Sequence, residues 1–79
     1  MNQSDILLNK MDGCGILTIN RPDALNAITA EMLFKGFSDC FERVHKDNDI
    51  KALIITGAGR AFCSGLDLTA FERLTNPAD

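Results

Sequence analysis

The amino-acid sequence predicts an α/β fold, made of a β-hairpin, an amphipathic helix, a buried strand and a short second helix. Three observations support this prediction. An Asp-Gly pair separates two short runs of strand-forming residues. Apolar residues then recur at the spacing of a helix. A short apolar run follows the helical stretch, which is typical of a strand buried on both faces of a parallel sheet. This order of elements favours the α/β class.

The hairpin is predicted from the first twenty residues. Residues 5–11 form the first strand, and residues 16–20 form the returning strand, which is rich in β-branched side chains. Asp12 and Gly13 between them both tolerate the positive φ of a two-residue turn. Pro22 ends the second strand because proline has no N–H to donate to a sheet. Residues 23–28 are then expected to form a connector.

The helix is the most regular element of the sequence. Thr29 is a candidate N-cap, and the helix is expected to end within residues 45–49, a polar stretch. Acidic and basic residues alternate every four positions along one side, at Glu31, Lys35, Asp39 and Arg43. The predicted core-facing stripe, with Phe34 on its flank, consists of Leu33, Phe37, Cys40, Phe41 and Val44.

The second half of the chain is predicted to continue with a strand, a turn and a helix. Residues 52–56 form the buried strand, and residues 57–60 form a glycine-containing turn. Residues 66–74 show helical spacing of leucine and phenylalanine, and Asn76-Pro77 would end that helix.

Composition excludes several classes of protein. The chain has eight basic and eleven acidic residues, which argues against a general nucleic-acid binder. Its 46% apolar content argues against disorder. No apolar run reaches the ~20 residues that a membrane helix needs. The three cysteines, at wide spacing and without a secretory signal, favour free thiols in a reducing, cytoplasmic location and indicate no zinc site.

Two segments, called below the first and second signal segments, indicate a chemical function. Residues 20–27 read NRPDALNA, and residues 54–68 read IITGAGRAFCSGLDL. The second segment reads as a strand, a glycine turn and a close approach to a helix N-terminus. Backbone N–H groups at such an end lack partners within the helix and can stabilise a negative oxygen. Gly65 would let a substrate approach the backbone closely.

Together the two segments resemble the crotonase family, the enoyl-CoA hydratases and isomerases. The first matches that family's Pro-x-Ala-Leu-Asn-Ala pattern, and the second matches Gly-x-Gly-x-x-Phe-(Ser/Cys)-x-Gly-x-Asp. The hairpin, the intervening helix and the spacing agree as well, so the resemblance covers nearly the whole chain. It implies that residues 1–79 are a partial crotonase-like domain, the N-terminal part of a ββα spiral fold whose C-terminal remainder is absent.

The resemblance also implies roles for particular residues. The backbone N–H of Leu66 would be one donor of an oxyanion hole that binds an acyl-CoA thioester oxygen. A second donor and the acid and base glutamates would come from later sequence, so the 79 residues alone are expected to be inactive. No metal or redox cofactor is implied, because coenzyme A arrives as part of the substrate. The positions expected to contact the CoA thioester are Ala24, Leu25, Ser64, Gly65, Leu66, Asp67 and Leu68.

Two positions depart from the family pattern. Asp23 stands where many members carry Lys or Arg near the CoA phosphates, and a carboxylate cannot form that ionic contact. Leu66 is larger than the common alanine and is expected to shape the acyl pocket, although its N–H does not depend on the side chain.

Other interpretations of the same residues are weaker. The spacing Gly57-x-Gly59-x-x-Phe62 is similar to a dinucleotide fingerprint, but it lacks the third glycine and a preceding βαβ unit. Cys63 fits a small buried thiol better than a nucleophile, because the single histidine, His45, lies at a polar helix end. Asp67 fits a helix cap that fixes the loop better than a catalytic acid.

Two function hypotheses follow. The first is an acyl-CoA-binding enoyl-CoA hydratase/isomerase-type enzyme of fatty-acid or aromatic-acid degradation, with a homotrimer or hexamer expected for the full-length protein. The alternative is a truncated or split, non-catalytic fragment that associates with another chain. The apolar helix stripe and the 52–56 strand need more cover than one hairpin and two helices supply, so the isolated chain is expected to be poorly stable or to self-associate.

Overall fold

A computed structural model describes residues 5–67 and contains one three-stranded sheet with one main helix packed on it. The strands are β1 (Ile6–Met11), β2 (Cys14–Ile19) and β3 (Ala52–Gly57), in that order across the sheet. β1 and β2 are antiparallel, whereas β2 and β3 are parallel. The α-helix α1 (Phe37–Lys46) connects β2 to β3 and packs against β1.

The predicted hairpin is confirmed. Asp12 and Gly13 form its two-residue turn, with φ of 51° and 82°, and Met11 pairs with Cys14 directly before and after it. The second strand therefore begins two residues before its predicted start at Ile16. The carboxylate of Asp47, just after α1, accepts a hydrogen bond of 2.9 Å from Lys10, which lowers the pKa of Asp47 and ties the hairpin to the helix end.

The hairpin places one face of β2 in the core. Leu17 and Ile19 are fully buried, and their pairing partners Leu8 and Ile6 pack against them from β1. Buried and half-buried residues alternate along β2, because successive side chains of a strand point to opposite faces of the sheet. The core thus lies between β2 and the helix.

The helix begins where the sequence predicts. The hydroxyl of Thr29 accepts a hydrogen bond of 3.1 Å from the backbone N–H of Met32, which is the N-cap arrangement. The chain is helical from Ala30, but a π-helical segment, Met32–Gly36, precedes α1. In that segment the N–H of Phe37 donates to the carbonyl of Met32, five residues earlier.

This π turn rotates the helix and corrects the predicted core stripe. Met32, which the stripe omitted, is buried at 2% exposure, whereas Leu33 is 40% exposed. One extra residue in a turn displaces the preceding residues by about 100° around the axis, so Met32 and not Leu33 faces the sheet. Phe41 is also exposed, at 44%, although its ring lies 5.9 Å from that of Phe37.

The other members of the stripe are placed as predicted. Cys40 is buried, and Phe37 and Val44 pack against the core. Burial raises the pKa of the Cys40 thiol, which keeps it protonated at neutral pH. Gly36 allows the π turn to approach the sheet, because a Cβ at this position would lie 2.8 Å from Cγ1 of Ile6.

β3 pairs in parallel as expected, but the prediction that it is buried on both faces is wrong for this chain. Ile54 and Ile55 point to opposite faces, and both remain exposed, at 49% and 42%. The physical reason is that β3 is the edge of the sheet and α1 packs against β1, at the opposite edge.

The predicted second helix is corrected at its start. Leu66 forms an isolated parallel bridge with Ile28, so the chain is extended there and not helical. The remainder of that prediction, residues 68–74, lies outside the described residues. Between residues 5 and 67, no helix is long and apolar enough to cross a membrane.

The rotated helix face can be tested by comparing two neighbouring alanine substitutions. Met32→Ala should lower the free energy of unfolding by about 2–5 kcal/mol, the usual result of truncating a large buried side chain. Leu33→Ala should lower it by less than about 1 kcal/mol. Urea unfolding of both purified variants measures the difference. A larger loss of unfolding free energy for Leu33→Ala would contradict the inward orientation of Met32.

Candidate active site

The first signal segment forms a tight turn directly after β2. Pro22–Ala24 is a 3-10 helix, for which the fixed φ of proline is well suited. Leu25 and Asn26 then both adopt the left-handed conformation, with φ of 52° and 58°. The carbonyl of Arg21 accepts hydrogen bonds from the N–H groups of Ala24, at 3.0 Å, and Asn26, at 2.8 Å, which closes the turn.

Asn26 is the central polar group of this region. Its side chain is fully buried, and its Oδ1 accepts a hydrogen bond of 2.8 Å from the backbone N–H of Arg21. Its Nδ2 donates to the carbonyls of Ala58, at 2.8 Å, and Ala61, at 2.7 Å. A carboxamide supplies both the acceptor and the two donors that these backbone groups require. Asn26 thereby joins the turn after β2 to the loop after β3.

The glycine at the end of β3 makes this junction possible. A Cβ at Gly57 would collide with the carbonyl oxygens of Ala61 and Phe62, and it would lie 2.8 Å from Nδ2 of Asn26. Only a residue without a side chain allows the loop to fold back over the strand end and reach the amide of Asn26.

Three further backbone hydrogen bonds hold the second signal segment against the first. The N–H of Ser64 donates to the carbonyl of Leu25 at 3.0 Å. The N–H of Ile28 donates to the carbonyl of Gly65, and the N–H of Asp67 donates to the carbonyl of Ile28, each at 2.8 Å. The last two form the bridge between Ile28 and Leu66, so both neighbours of Leu66 are fixed.

This arrangement directs the N–H of Leu66 away from the protein segment that holds it. The C=O and N–H of a trans peptide point in opposite directions, and the C=O of Gly65 points at the N–H of Ile28. The N–H of Leu66 therefore points away from Ile28, and it donates to no backbone acceptor within residues 5–67. A Cβ on Gly65, whose φ is +114°, would meet no atom within 4 Å beyond its chain neighbours. The geometry leaves a backbone donor that points away from the segment holding it, next to a glycine whose side-chain position is open.

Arg21 adds a side-chain connection to the same place. Its Nη1 donates to the carbonyl of Ala27 at 2.7 Å and to the carboxylate of Asp67 at 3.4 Å. Both side chains of this ion pair are sheltered, with 24% and 27% exposure. Asp67 thus fixes the loop through Arg21 and Ile28, as predicted, whereas the helix that it was predicted to cap lies outside the described residues.

The structure brings most of the predicted site residues together. Ala24 and Leu25 lie in the turn after β2, and the segment 64–67 is hydrogen-bonded to that turn and to the connector behind it. Leu66 itself is 53% exposed. Leu68 lies outside the described residues. The backbone N–H groups of Ala24, Leu25 and Ser64 are all used inside the protein. The carbonyls of Ala24 and Leu25 also each accept one hydrogen bond, from Ala27 at 3.1 Å and from Ser64 at 3.0 Å. The second lone pairs of these two carbonyls, the carbonyl of Ser64 and the Ser64 hydroxyl are the groups that could contact a ligand.

Two important residues, Arg21 and Asn26, received no role from sequence reasoning. Both belong to the NRPDALNA segment, and their presence in that motif was the signal that could have identified them. Their partners lie up to 46 residues away in the chain, and sequence spacing does not reveal which carbonyls they meet.

Cys63 and His45, the weaker candidates for a catalytic role, lie where structural roles explain them. Cys63 is half-buried, packs against the core and accepts a long contact of 3.4 Å from the N–H of Gly65. His45 is exposed in the last turn of α1. In the part of the chain that the structure describes, no three His, Cys, Asp or Glu residues cluster as a metal site would require.

Known proteins resemble this chain along most of its length. The family model described as enoyl-CoA hydratase/isomerase matches residues 14–78. The chain belongs to the enoyl-CoA hydratase/isomerase family. It is 43% identical over 60 residues to a probable peroxisomal enoyl-CoA hydratase of Arabidopsis thaliana, covering 76% of this chain and 22% of that protein. It is also 43% identical over 63 residues to the 1,2-epoxyphenylacetyl-CoA isomerase of Escherichia coli, covering 80% and 24%.

Solved structures establish the fold. The crystal structure of an enoyl-CoA hydratase from Mycobacterium marinum superposes with a TM-score of 0.82 at 38% identity, covering 90% of this chain and 28% of that one. The predicted crotonase fold is therefore confirmed. The chain spans about a quarter of the length of these family members.

The role of the buried amide can be tested directly. Asn26→Ala removes three hydrogen bonds and leaves the carbonyls of Ala58 and Ala61 without partners. Each unsatisfied buried group costs about 1–3 kcal/mol, so the free energy of unfolding should fall by at least that amount. Asn48→Ala, at an exposed turn, is the matched control and should change it by less than about 0.5 kcal/mol. Urea unfolding measures both, and equal stabilities would contradict the central role of Asn26.

Proposed function

We propose that this chain is the N-terminal part of an acyl-CoA enzyme in which the N–H of Leu66 donates a hydrogen bond to the thioester oxygen of the substrate. One observation carries the proposal. The carbonyl of Gly65 accepts a hydrogen bond from Ile28, so the N–H of Leu66 points away from Ile28, in a residue that is 53% exposed. The comparisons support it, since the chain belongs to a family of enoyl-CoA hydratases and isomerases.

The chemical value of such a donor comes from its preorganisation. When a thioester becomes an enolate, negative charge develops on its oxygen, and a donor already aimed at that position needs no reorganisation. The segments on both sides of Leu66 are tethered to the connector at Ile28 and to the turn at Leu25. The carbonyl of Gly65 already accepts a hydrogen bond, which polarises the shared peptide and strengthens its N–H as a donor.

The remaining contacts to coenzyme A would be made by acceptor groups. The N–H groups of Ala24 and Leu25 are used within the turn, and their carbonyls each accept one hydrogen bond, from Ala27 and Ser64. A carbonyl oxygen has two lone pairs, so each could accept a second hydrogen bond, for example from an adenine amino group. Asp23 is exposed in the same turn and would repel a phosphate there. We therefore expect the phosphates to bind away from Asp23.

Several reactions are compatible with this part of a site. The relatives named above are a hydratase and an isomerase, and both names specify CoA esters. Stabilising the thioester oxygen would serve either reaction. In our proposal a second N–H donor and the groups that transfer protons are supplied by the remainder of a full-length family member.

The proposal predicts that the catalytic rate depends strongly on the N–H of Leu66 and only weakly on its side chain. Leu66→Pro removes the donor without removing either hydrogen bond of the bridge to Ile28. In the full-length protein this change should lower the rate of crotonyl-CoA hydration by about 10²–10³, the usual effect of losing one oxyanion donor. Leu66→Ala keeps the N–H and should retain most activity, with an altered preference for acyl length.

Both variants are first compared by circular dichroism, so that rates are measured on folded protein. A folded Leu66→Pro variant as active as Leu66→Ala would remove the catalytic role assigned to this N–H.

A further inference from the structure

The ion pair between Arg21 and Asp67 connects the two sides of the bridge that holds Leu66. Nη1 of Arg21 donates to the carbonyl of Ala27, the residue before Ile28. The same nitrogen donates to the carboxylate of Asp67, the residue after Leu66. One guanidinium therefore ties together both segments of the bridge.

The bridge needs such a restraint because its own hydrogen bonds are few. It consists of only two hydrogen bonds, one before and one after Leu66. Gly65, with φ of +114° and no neighbour within 4 Å of a would-be Cβ, has the backbone freedom to let the following peptide rotate. The two hydrogen bonds set the direction of the Leu66 N–H, and a further restraint next to this glycine would limit its rotation away from that direction.

Arg21 is well suited to the task. Its own backbone is held by the buried amide of Asn26, which accepts the N–H of Arg21 at 2.8 Å. The planar guanidinium is a rigid donor group, and the pair is sheltered, so solvent screens it less than a surface pair. Because its backbone is held by Asn26 and its guanidinium is rigid, Arg21 can hold the carboxylate of Asp67 in a fixed position relative to Asn26.

We propose that Arg21 and Asp67 are positioning residues that fix the direction of the Leu66 N–H. This inference rests on the proposed function of that N–H. The pair acts through the peptide between Gly65 and Leu66, so it changes how well the donor meets the charge that develops in the transition state. Interactions gained mainly in the transition state affect kcat more than KM. A pair that only stabilised the fold would instead leave kcat per folded molecule unchanged.

The test uses three variants of the full-length protein. Arg21→Met removes both donated hydrogen bonds, and Asp67→Ala removes the carboxylate but keeps the N–H that Ile28 accepts. The double variant shows whether the two side chains act together. Lys10→Gln is the matched control, because it removes an ion pair of 2.9 Å at the opposite end of the sheet.

Two readouts are measured on each variant. The first is kcat and KM for crotonyl-CoA hydration, where kcat should fall about 10- to 100-fold in each single variant while KM changes less than about threefold. The second is the infrared band of butyryl-CoA labelled with ¹³C at the thioester carbonyl. A well-aimed hydrogen bond lowers the frequency of this band, so it should move upward in the Arg21 and Asp67 variants. The double variant should be no worse than Arg21→Met alone.

Each outcome decides between the two claims. If Leu66→Pro moves the band and lowers kcat while Arg21→Met and Asp67→Ala match the wild type, the positioning role is wrong and the proposed function stands. If Leu66→Pro itself leaves the band unmoved, the proposed function fails and the positioning role fails with it. If Arg21→Met does not fold, Arg21→Lys, which keeps a charged donor, should give intermediate values, and wild-type values for Asp67→Ala would still overturn the inference.

Discussion

The three hydrogen bonds of the buried Asn26 amide are the constraint on which the rest of the site depends. The amide accepts from the N–H of Arg21 and donates to the carbonyls of Ala58 and Ala61. It thus satisfies backbone groups that would otherwise be buried without partners, where each costs about 1–3 kcal/mol. The same bonds compensate for the left-handed backbone of Leu25, a conformation that is uncommon for residues other than glycine.

The site is built almost entirely from backbone groups. The carbonyl of Leu25 accepts a hydrogen bond from the N–H of Ser64, and the N–H of Ile28 donates to the carbonyl of Gly65. The N–H of Leu66 has no backbone acceptor within residues 5–67. Side chains contribute by fixing where these groups lie, as Asn26 does directly and Arg21 does through Asp67. In the proposed function, the side chain of Leu66 could therefore vary with the shape of the acyl group, because the donor belongs to the main chain.

The sheet and helix hold this assembly in place and leave large apolar side chains exposed at more than one place. The π turn at Met32–Gly36 brings Gly36 against Ile6 and turns Met32 inward, while Phe34 is 63% exposed. Ile54 and Ile55 on the edge strand are exposed as well. The described sheet and helix therefore do not by themselves cover all of their large apolar side chains.

The sequence by itself determined the elements whose signals are local. The turn at Asp12-Gly13, the N-cap at Thr29 and the parallel strand after the helix follow from turn chemistry, capping and apolar patterning within a few residues, and the two motifs identified the family. Only the tertiary structure decided which residues face the core and how the site is held. The π turn inserts one residue per turn without a sequence marker, so it exchanged Leu33 for Met32 in the core.

The hydrogen bonds from Asn26 to Ala58 and Ala61, and from Arg21 to Asp67, join residues that are 32 to 46 positions apart. Spacing along the chain does not specify such contacts, since they depend on how the whole sheet and its loops fold together. For the same reason the extended bridge at Leu66 replaced the helix start that local spacing indicated. Local chemistry therefore specified which elements form, and long-range packing specified the direction of the one N–H on which the proposed chemistry depends.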